Sequence, residues 1–378
     1  MNVVFAKPYF GGGESEALAE VIASGWVSQG PRVRAFEQAF AARVGAAEAV
    51  AVTNCTSALA LALHASGVGP GDEVIIPSLS FIATANAVHH CGAIPVFADI
   101  DPRTYNLDPR AAEAAITPRT AAIMPVHQVG LPADMDAFFA IADARRLVLV
   151  EDAACAIGAT HQGRPVGSLG PLACFSLHPR KVITTGEGGM ITTNDVQLAE
   201  RLRRLRQHGM DLSDLARHGA ADIVFESYPE KAWNLRMTDL QAALGLKQLE
   251  VLDEVLAERR RLAARYTQAL AGIPCLAAPA ETAGAQRTWQ SYPVRVLPGA
   301  PLDRTGLMRR LHADGIATRR GIMAIHHEPA YADVVADLPH TDAAAADVLL
   351  LPLYAGLRDA EQDHVIDRLG HHALTHAA

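Results

Sequence analysis

The sequence predicts an α/β protein: a large domain with a mostly parallel seven-stranded sheet between helices, followed by a smaller C-terminal α+β domain. Three observations predict it. Between about residues 45 and 195, short apolar runs alternate with helical stretches, the pattern of parallel strands joined by crossover helices. The chain has 378 residues, half of them apolar and a fifth charged, which is enough to bury a large core and to form two domains. Beyond about residue 272 the alternation gives way to a sparser mixture of strand and helix.

The strands are expected at 49–53, 73–76, 94–97, 121–125, 147–150, 173–177 and 190–193. Each is a short apolar run bounded by turn residues. Helical patterns at 57–66 and 135–145 separate some of them. The last two runs lie too close together for a crossover helix, so one of that pair is expected to be antiparallel. Helices follow at 197–208 and 238–270, the second with Leu244, Leu249, Leu252, Leu256 and Leu262 between charged residues. A strand at 291–297, a helix at 307–314, a short strand at 316–318 and a final helix complete the chain. The large domain, with an N-terminal arm, is expected to span 1–245, and the linking helix with the small domain 246–378.

A net charge of -8 with both signs interspersed argues against a nucleic-acid surface. Residues 49–71 and 74–98 lack Asp, Glu, Lys and Arg altogether. Their Pro, Gly and polar punctuation reads as buried strand and helix, so no membrane partner is expected. The N-terminus shows no basic region followed by an apolar one, which predicts a cytoplasmic protein. Cys55, Cys91, Cys155, Cys174 and Cys275 are odd in number and lack metal-ligand spacing, so reduced thiols and no metal site are expected.

Chemistry gathers at strand ends. Asp152 follows the run 147–150, which places it at the carboxyl end of a sheet strand, where open α/β sheets bind ligands. It reads equally as a helix N-cap before Ala153 and Ala154. Lys181 closes Phe175-Ser176-Leu177-His178-Pro179-Arg180-Lys181 and precedes Thr184-Thr185-Gly186-Glu187-Gly188-Gly189. Most lysines lie at the surface, but this one has an apolar strand before it and a turn-rich segment after it. An amine and a carboxylate at two strand ends are what pyridoxal phosphate requires, the amine for a Schiff base and the carboxylate for the pyridinium nitrogen. Beside a cationic or apolar wall the amine pKa is expected to fall. Thr53-Asn54-Cys55-Thr56-Ser57-Ala58 joins a strand to a helix, and reads as a phosphate cup or as N-capping by Thr56 or Ser57. Phe81 reads as a ring that stacks on the cofactor or as a core phenylalanine.

These segments resemble the DegT-type sugar aminotransferases, with the aspartate-aminotransferase fold known as PLP fold type I. The resemblance spans nearly the whole chain. It rests also on Gly25-Trp26-Val27-Ser28-Gln29-Gly30-Pro31, Gly69-Pro70-Gly71-Asp72-Glu73-Val74, Asp99-Ile100-Asp101-Pro102, Trp233-Asn234-Leu235-Arg236-Met237-Thr238-Asp239 and Arg319-Arg320-Gly321. It implies Lys181 as the Schiff-base lysine and Asp152 as the pyridinium partner. Thr56, Ser57 and Ser176 match the phosphate contacts, and Phe81 the stacking ring. Asn234 matches a residue that reaches the cofactor phosphate of the neighbouring subunit, which implies a homodimer with shared active sites. His326, in His-x-x-Pro, matches a histidine near the substrate. Arg236 and Arg320 are placed against an anionic group of the substrate or donor, and His178 beside the substrate. The chain departs from the common pattern at Cys155, where many members carry Gln or His near the cofactor O3′. It departs again at Asn54-Cys55, where Ser-Gly is common.

The resemblance implies transfer of an amino group from L-glutamate to a keto sugar linked to a nucleoside diphosphate, with the 4-keto-6-deoxy type foremost. Cys155 and the run 318–323 are similar to the perosamine-synthase branch. Glutamine as donor, and a cyclitol ketone or aminobenzoate precursor as acceptor, stay open. Sugar dehydratases of the same family carry histidine in place of the lysine, and Lys181 argues against them. A non-catalytic binding module would have lost Lys181 or Asp152. No G-x-G-x-x-G opens a βα unit, and no G-x-x-x-x-G-K-[ST] occurs.

Overall fold

The computed structural model describes residues 1–212 and 225–374. Seven strands form the central sheet: β1 (Glu48–Val52), β2 (Glu73–Pro77), β3 (Ile94–Ala98), β4 (Thr120–Ile123), β5 (Val148–Asp152), β8 (Leu172–Ser176) and β9 (Gly189–Thr193). A short hairpin of β6 (Thr160–His161) and β7 (Arg164–Pro165) lies between β5 and β8 in the chain. The sheet order is β1-β9-β8-β5-β4-β2-β3. Only β9 runs against its neighbours, antiparallel to both β1 and β8, while β5–β8, β4–β5, β2–β4 and β2–β3 are parallel. The strand that had no room for a crossover helix is therefore the reversed one.

Alternate residues of these strands feed two separate cores, as the two-residue period of a strand covered on both faces requires. Ala49, Ala51, Ile75, Ala173 and Phe175 pack on one face with Phe36, Phe40 and Phe138. Val50, Val52, Val74, Ile76, Leu172 and Cys174 pack on the other with Leu59, Leu61, Leu63 and Leu202.

Helix Pro31–Val44 takes its cap from a distant residue. Asp239 accepts from the amides of Gly30 and Val33 at 2.9 Å and of Arg32 at 3.0 Å, which suits a carboxylate to a helix N-terminus. The single helix expected over 238–270 is two, Asp239–Glu250 and Leu252–Leu270, broken at Val251 (φ -100°, ψ 2°). The apolar stripe runs through the break because the first helix and the start of the second pack on the same core. Leu252, Val255 and Leu256 join the large sheet's core, whereas Leu262, Tyr266 and Leu270 join another built on a second sheet.

That second sheet is antiparallel and contains β10 (Leu276–Ala277), β12 (Tyr292–Val296), β13 (Arg319–Arg320) and β14 (Val348–Leu351), in the order β10-β12-β14-β13. β11 (Ala285–Gln286) instead pairs with β6. The strand expected at 316–318 is displaced. Ile316 makes only a bridge to Val3 of the N-terminal arm, and the strand forms at Arg319–Arg320. Among the described residues no helix is long and apolar enough to cross a membrane, and the five cysteines are free thiols.

Candidate active site

The carboxyl edge of the large sheet collects the chemistry. β5 ends at Asp152, β8 at Ser176, and β1 at Val52 just before Thr53 and Asn54. Because β9 is reversed, it begins at that same edge, with Gly189 opposite both Ser176 and Val52. Gly189 must be small there: a Cβ would lie 2.5 Å from the Asn54 carbonyl carbon and 2.8 Å from the Cys55 nitrogen. The loop before helix Cys55–Ala65 is thus pressed onto the strand that faces Ser176.

Asp152 is 5% exposed and is the last residue of a strand, with turns rather than a helix after it. The N-cap reading is therefore set aside. Its Oδ2 accepts from Thr84 Oγ1 at 2.8 Å and its Oδ1 from the Ala154 amide at 3.1 Å. Ser80 Oγ lies 2.7 Å from Thr84 Oγ1. Since Thr84 spends its proton on the carboxylate, Ser80 must donate to Thr84, and a two-hydroxyl relay ends on Asp152. Burial pushes the Asp152 carboxyl above its ordinary range, against the pull of Thr84, Ala154, Lys181 and His127. A buried carboxylate in want of a positive partner is what a pyridinium nitrogen would satisfy.

Lys181 Nζ lies 3.1 Å from Cys155 Sγ. Burial pushes its amine down, but the negative field of Cys155 and its hydrogen bond, joined by Cys55 and Asp152, carry it above the ordinary lysine value. This corrects the expectation of a lowered amine. The wall beside the lysine is made of thiols and a carboxylate, not of cations. Lys181 Nζ thus stands beside the residue three places after Asp152, and Lys181 and Asp152 each feel the other's charge.

Helix Cys55–Ala65 is capped by Asn54, whose Oδ1 accepts from the Ser57 amide at 2.8 Å. Thr56 and Ser57 are therefore not the caps. Their half-buried hydroxyls stand in the first helical turn, where amides lack intrahelical acceptors. An amine, a buried carboxylate, a helix N-terminus with hydroxyls and a glycine cradle fit the reactive carbonyl, ring nitrogen and phosphate of pyridoxal phosphate.

The other expected residues are spread around this centre. Phe81 is 62% exposed and so is no core phenylalanine. Asn234 is exposed, and its Oδ1 accepts from Arg236 Nε at 3.0 Å. His178 is half-buried, its Nδ1 accepting from the Arg180 amide at 3.2 Å, and burial lowers its imidazole pKa. Arg320 is exposed and donates to Glu328 Oε1 at 3.0 Å. His326 is nearly buried, with Ser78 Oγ 2.7 Å from its Nδ1.

Sequence reading missed several neighbours. Thr84 carried only the signal of a hydroxyl three residues after Phe81. His127 and Glu151 are both fully buried and meet at 3.0 Å. The Ala133 amide donates to His127 Nδ1, which leaves the proton on Nε2 for Glu151. The imidazoles of His326 and His327 each stand 3.1 Å from Asp342 Oδ1. These three ligand atoms lie within 4.8 Å of one another, a grouping that spacing along the chain did not reveal.

The model of the DegT/DnrJ/EryC1/StrS aminotransferase family matches residues 9–370. The chain belongs to that family. It is a PLP-dependent aminotransferase with the fold expected from its sequence. It is 45% identical to the GDP-perosamine synthase of Caulobacter vibrioides over 371 residues, 97% of each chain. Among solved structures, DesI in the presence of its TDP-sugar product superposes with a TM-score of 0.90 at 36% identity, covering 98% of this chain and 93% of that one. The PLP form of the sugar aminotransferase Spr1654 from Streptococcus pneumoniae superposes with a TM-score of 0.91 at 28% identity, covering 99% of both chains.

Proposed function

We propose that this aminotransferase moves an amino group from L-glutamate to a keto sugar linked to a nucleoside diphosphate, with a 4-keto-6-deoxy sugar as the leading acceptor. One observation carries the reaction: at the carboxyl edge of the sheet the buried carboxylate of Asp152 and the Lys181 amine, 3.1 Å from Cys155 Sγ, stand close enough to act on each other's charge. The acceptor class is supported by the 45% identity to a GDP-perosamine synthase along both chains and by the likeness to DesI, solved in the presence of its TDP-sugar product.

Pyridoxal phosphate, when bound, supplies a carbonyl that exchanges for an amino group and a ring that accepts electron density. The residues of this chain do the rest. Asp152 would hold the proton of the ring nitrogen, and Thr84 and Ser80 fix the carboxylate for that task. Lys181 would hold the cofactor's carbonyl carbon through Nζ, and its amine would serve as the base that moves the proton of the reacting carbon. Thr56, Ser57 and Ser176 bind the phosphate at the helix N-terminus, where the dipole favours an anion. Cys155, beside Lys181 Nζ, would stand near the ring oxygen. Phe81 would cover the ring, and Asn234 would reach the phosphate of a second subunit. Both are exposed on the single chain, which supports a homodimer with shared sites. His326, His178, Arg236 and Arg320 line the substrate side, and a cytoplasmic location is part of the same reading.

The test is spectroscopic. The protein loaded with pyridoxal phosphate is given L-glutamate, then a panel of nucleotide-linked keto sugars, with the products weighed by mass spectrometry. Loss of the near-ultraviolet-to-blue band with glutamate, followed by an amino sugar nucleotide, is expected. A lost band with no sugar aminated would overturn the acceptor. A Lys181→Ala protein that still traps the cofactor covalently after borohydride would overturn the assignment of Lys181.

A further inference from the structure

His326 and His327 are neighbours in the short turn Ile325–His327, and Asp342 lies in the first turn of helix Pro339–Asp347. The Nε2 atoms of both imidazoles stand 3.1 Å from a single carboxylate oxygen, Asp342 Oδ1. The three atoms lie within 4.8 Å of one another. We propose that they form a binding site for a divalent transition-metal ion of the zinc type. Two imidazoles and one carboxylate hold the ion, the remaining position is open to water, and the turn is thereby fastened to the helix.

The carboxylate oxygen separates this grouping from an ordinary ion pair. Asp342 Oδ1 is itself buried, and neither imidazole meets it with the geometry of a hydrogen bond. A buried oxygen in that state costs free energy until something positive completes it. His326 shows what completes it. Its Nδ1 is 2.7 Å from Ser78 Oγ. With the Nδ1 proton given to Ser78, Nε2 turns a bare lone pair toward the carboxylate. Two acceptors face to face repel, and a cation between them replaces the repulsion with two bonds. Ser78 is then the outer partner that sets the tautomer and ring direction of a metal-ligating histidine.

Spacing and donor type select the ion. Ligands at zinc distances around a tetrahedral ion lie about 3.4 Å from each other, and the two 3.1 Å separations need only a small opening to match. The two rings are 4.1 Å apart between centres, so they project side by side. Their frame is already built. The Ile325 amide donates to the Ser78 carbonyl at 2.8 Å, and the Ser80 amide to the Met323 carbonyl at 3.1 Å. Asp99 accepts from the amides of His340 at 3.0 Å and Thr341 at 2.8 Å, which fixes the helix that carries Asp342. The His326 side chain is 6% exposed, but those of His327 and Asp342 are 55% and 46% exposed, so the ion enters from the solvent side. Imidazole with carboxylate suits zinc, whereas magnesium and calcium favour oxygen ligands.

The experiment uses chelator-treated holoenzyme and cobalt(II) as the spectroscopic stand-in for zinc, with neither substrate present, so its outcome is independent of the acceptor proposed above. An intense d–d band to the red of the cofactor band is expected to saturate at one cobalt per chain. Zinc should erase it, and excess magnesium should not. His327→Ala and Asp342→Ala each remove one ligand and should abolish the band. Ser78→Ala should weaken cobalt and zinc roughly ten- to a hundred-fold, the usual effect of losing an outer partner. His372→Ala breaks another His–Asp pair, 2.6 Å from Asp314, and should leave the band unchanged. Saturating zinc should raise the Tm of wild type but not of His327→Ala.

A wild type that takes up no cobalt, or shows only the weak spectrum of an ion surrounded by water, would overturn the proposal. So would a band that survives in both His327→Ala and Asp342→Ala, or one that disappears in His372→Ala, since the ion would then sit elsewhere. Displacement by magnesium would overturn it as well, because the ion would then be held by oxygens and not by imidazoles. Far-ultraviolet circular dichroism and the cofactor band separate loss of a ligand from loss of fold. Should a ligand variant unfold, Ser78→Ala, which removes no ligand atom, decides the question: unchanged metal affinity there refutes the site.

Discussion

Thr84→Val is the sharpest probe of how the site is held. The substitution keeps the shape of the side chain and removes its hydroxyl. In the structure that hydroxyl donates to Asp152 Oδ2 at 2.8 Å, inside a protein interior from which both residues are nearly excluded from solvent. A hydrogen bond to a buried charged group is worth about 1.5–3 kcal/mol. At about 1.4 kcal/mol per decade, that amounts to a loss of roughly ten- to a hundred-fold in the affinity for pyridoxal phosphate. The Ser80 hydroxyl also loses its acceptor, which adds to the loss. The pH dependence has a definite sign. Burial already holds the Asp152 carboxyl above its ordinary range and Thr84 opposes that shift. Removing Thr84 moves the carboxyl further up, so the acid limb of the kcat/KM profile should move to higher pH. Fluorescence titration of the cofactor and a pH series of kcat/KM measure both effects. Thr84→Ser, which retains the hydroxyl, should restore most of each. If Thr84→Val binds the cofactor within two-fold of wild type with an unmoved acid limb, Thr84 does not support Asp152 and the relay has no functional part.

Two further outcomes follow from the same geometry. In Cys155→Ala without cofactor, the thiol 3.1 Å from Lys181 Nζ is gone. Burial then dominates and the amine pKa falls, so acetylation of Lys181, followed by mass spectrometry against pH, should begin at lower pH than in wild type. An unshifted profile would refute the role given to Cys155. In the wild type the raised amine stabilises the fold below the ordinary lysine pKa and loses that contribution as pH climbs through the higher folded value. Gly189→Ala sets a Cβ against the Asn54 carbonyl carbon and the Cys55 nitrogen. Overpacking of this kind costs about 1–3 kcal/mol, and it should appear in urea unfolding together with weaker cofactor binding. Full stability and full affinity would show that the cup loop is not braced by β9.

How far the sequence could be read depends on what each feature needs. The strands of the large sheet were legible because both faces are buried, so that every residue of β9 had to be apolar, small or a paired threonine and β2 is apolar after Glu73. The position of Asp152 was legible because it ends such a run, whereas Lys181 lies in the turns five residues beyond the end of β8. The break at Val251 was not, since the apolar stripe continues through it and the backbone turn leaves no Gly or Pro signal. Phe81 was left between two readings, and its 62% exposure belongs to the assembled loop, not to its neighbours in sequence.

Local order and apolar period, which are properties of neighbouring residues, were thus determined by the sequence alone: the α/β class, the strand ends, and the carboxylate of Asp152 on one of them. Tertiary structure alone decided what depends on residues far apart in the chain. It set Thr84 on Asp152 across 68 positions, Asp239 on the helix that starts at Pro31, and thiols rather than cations beside Lys181. It also brought Arg180 to the same cavity as Arg304, Arg309, Arg319 and Arg320. The physical reason is that pKa shifts, caps and charged clefts act over a few ångströms of space, and the chain fixes those distances only when the sheet closes its register.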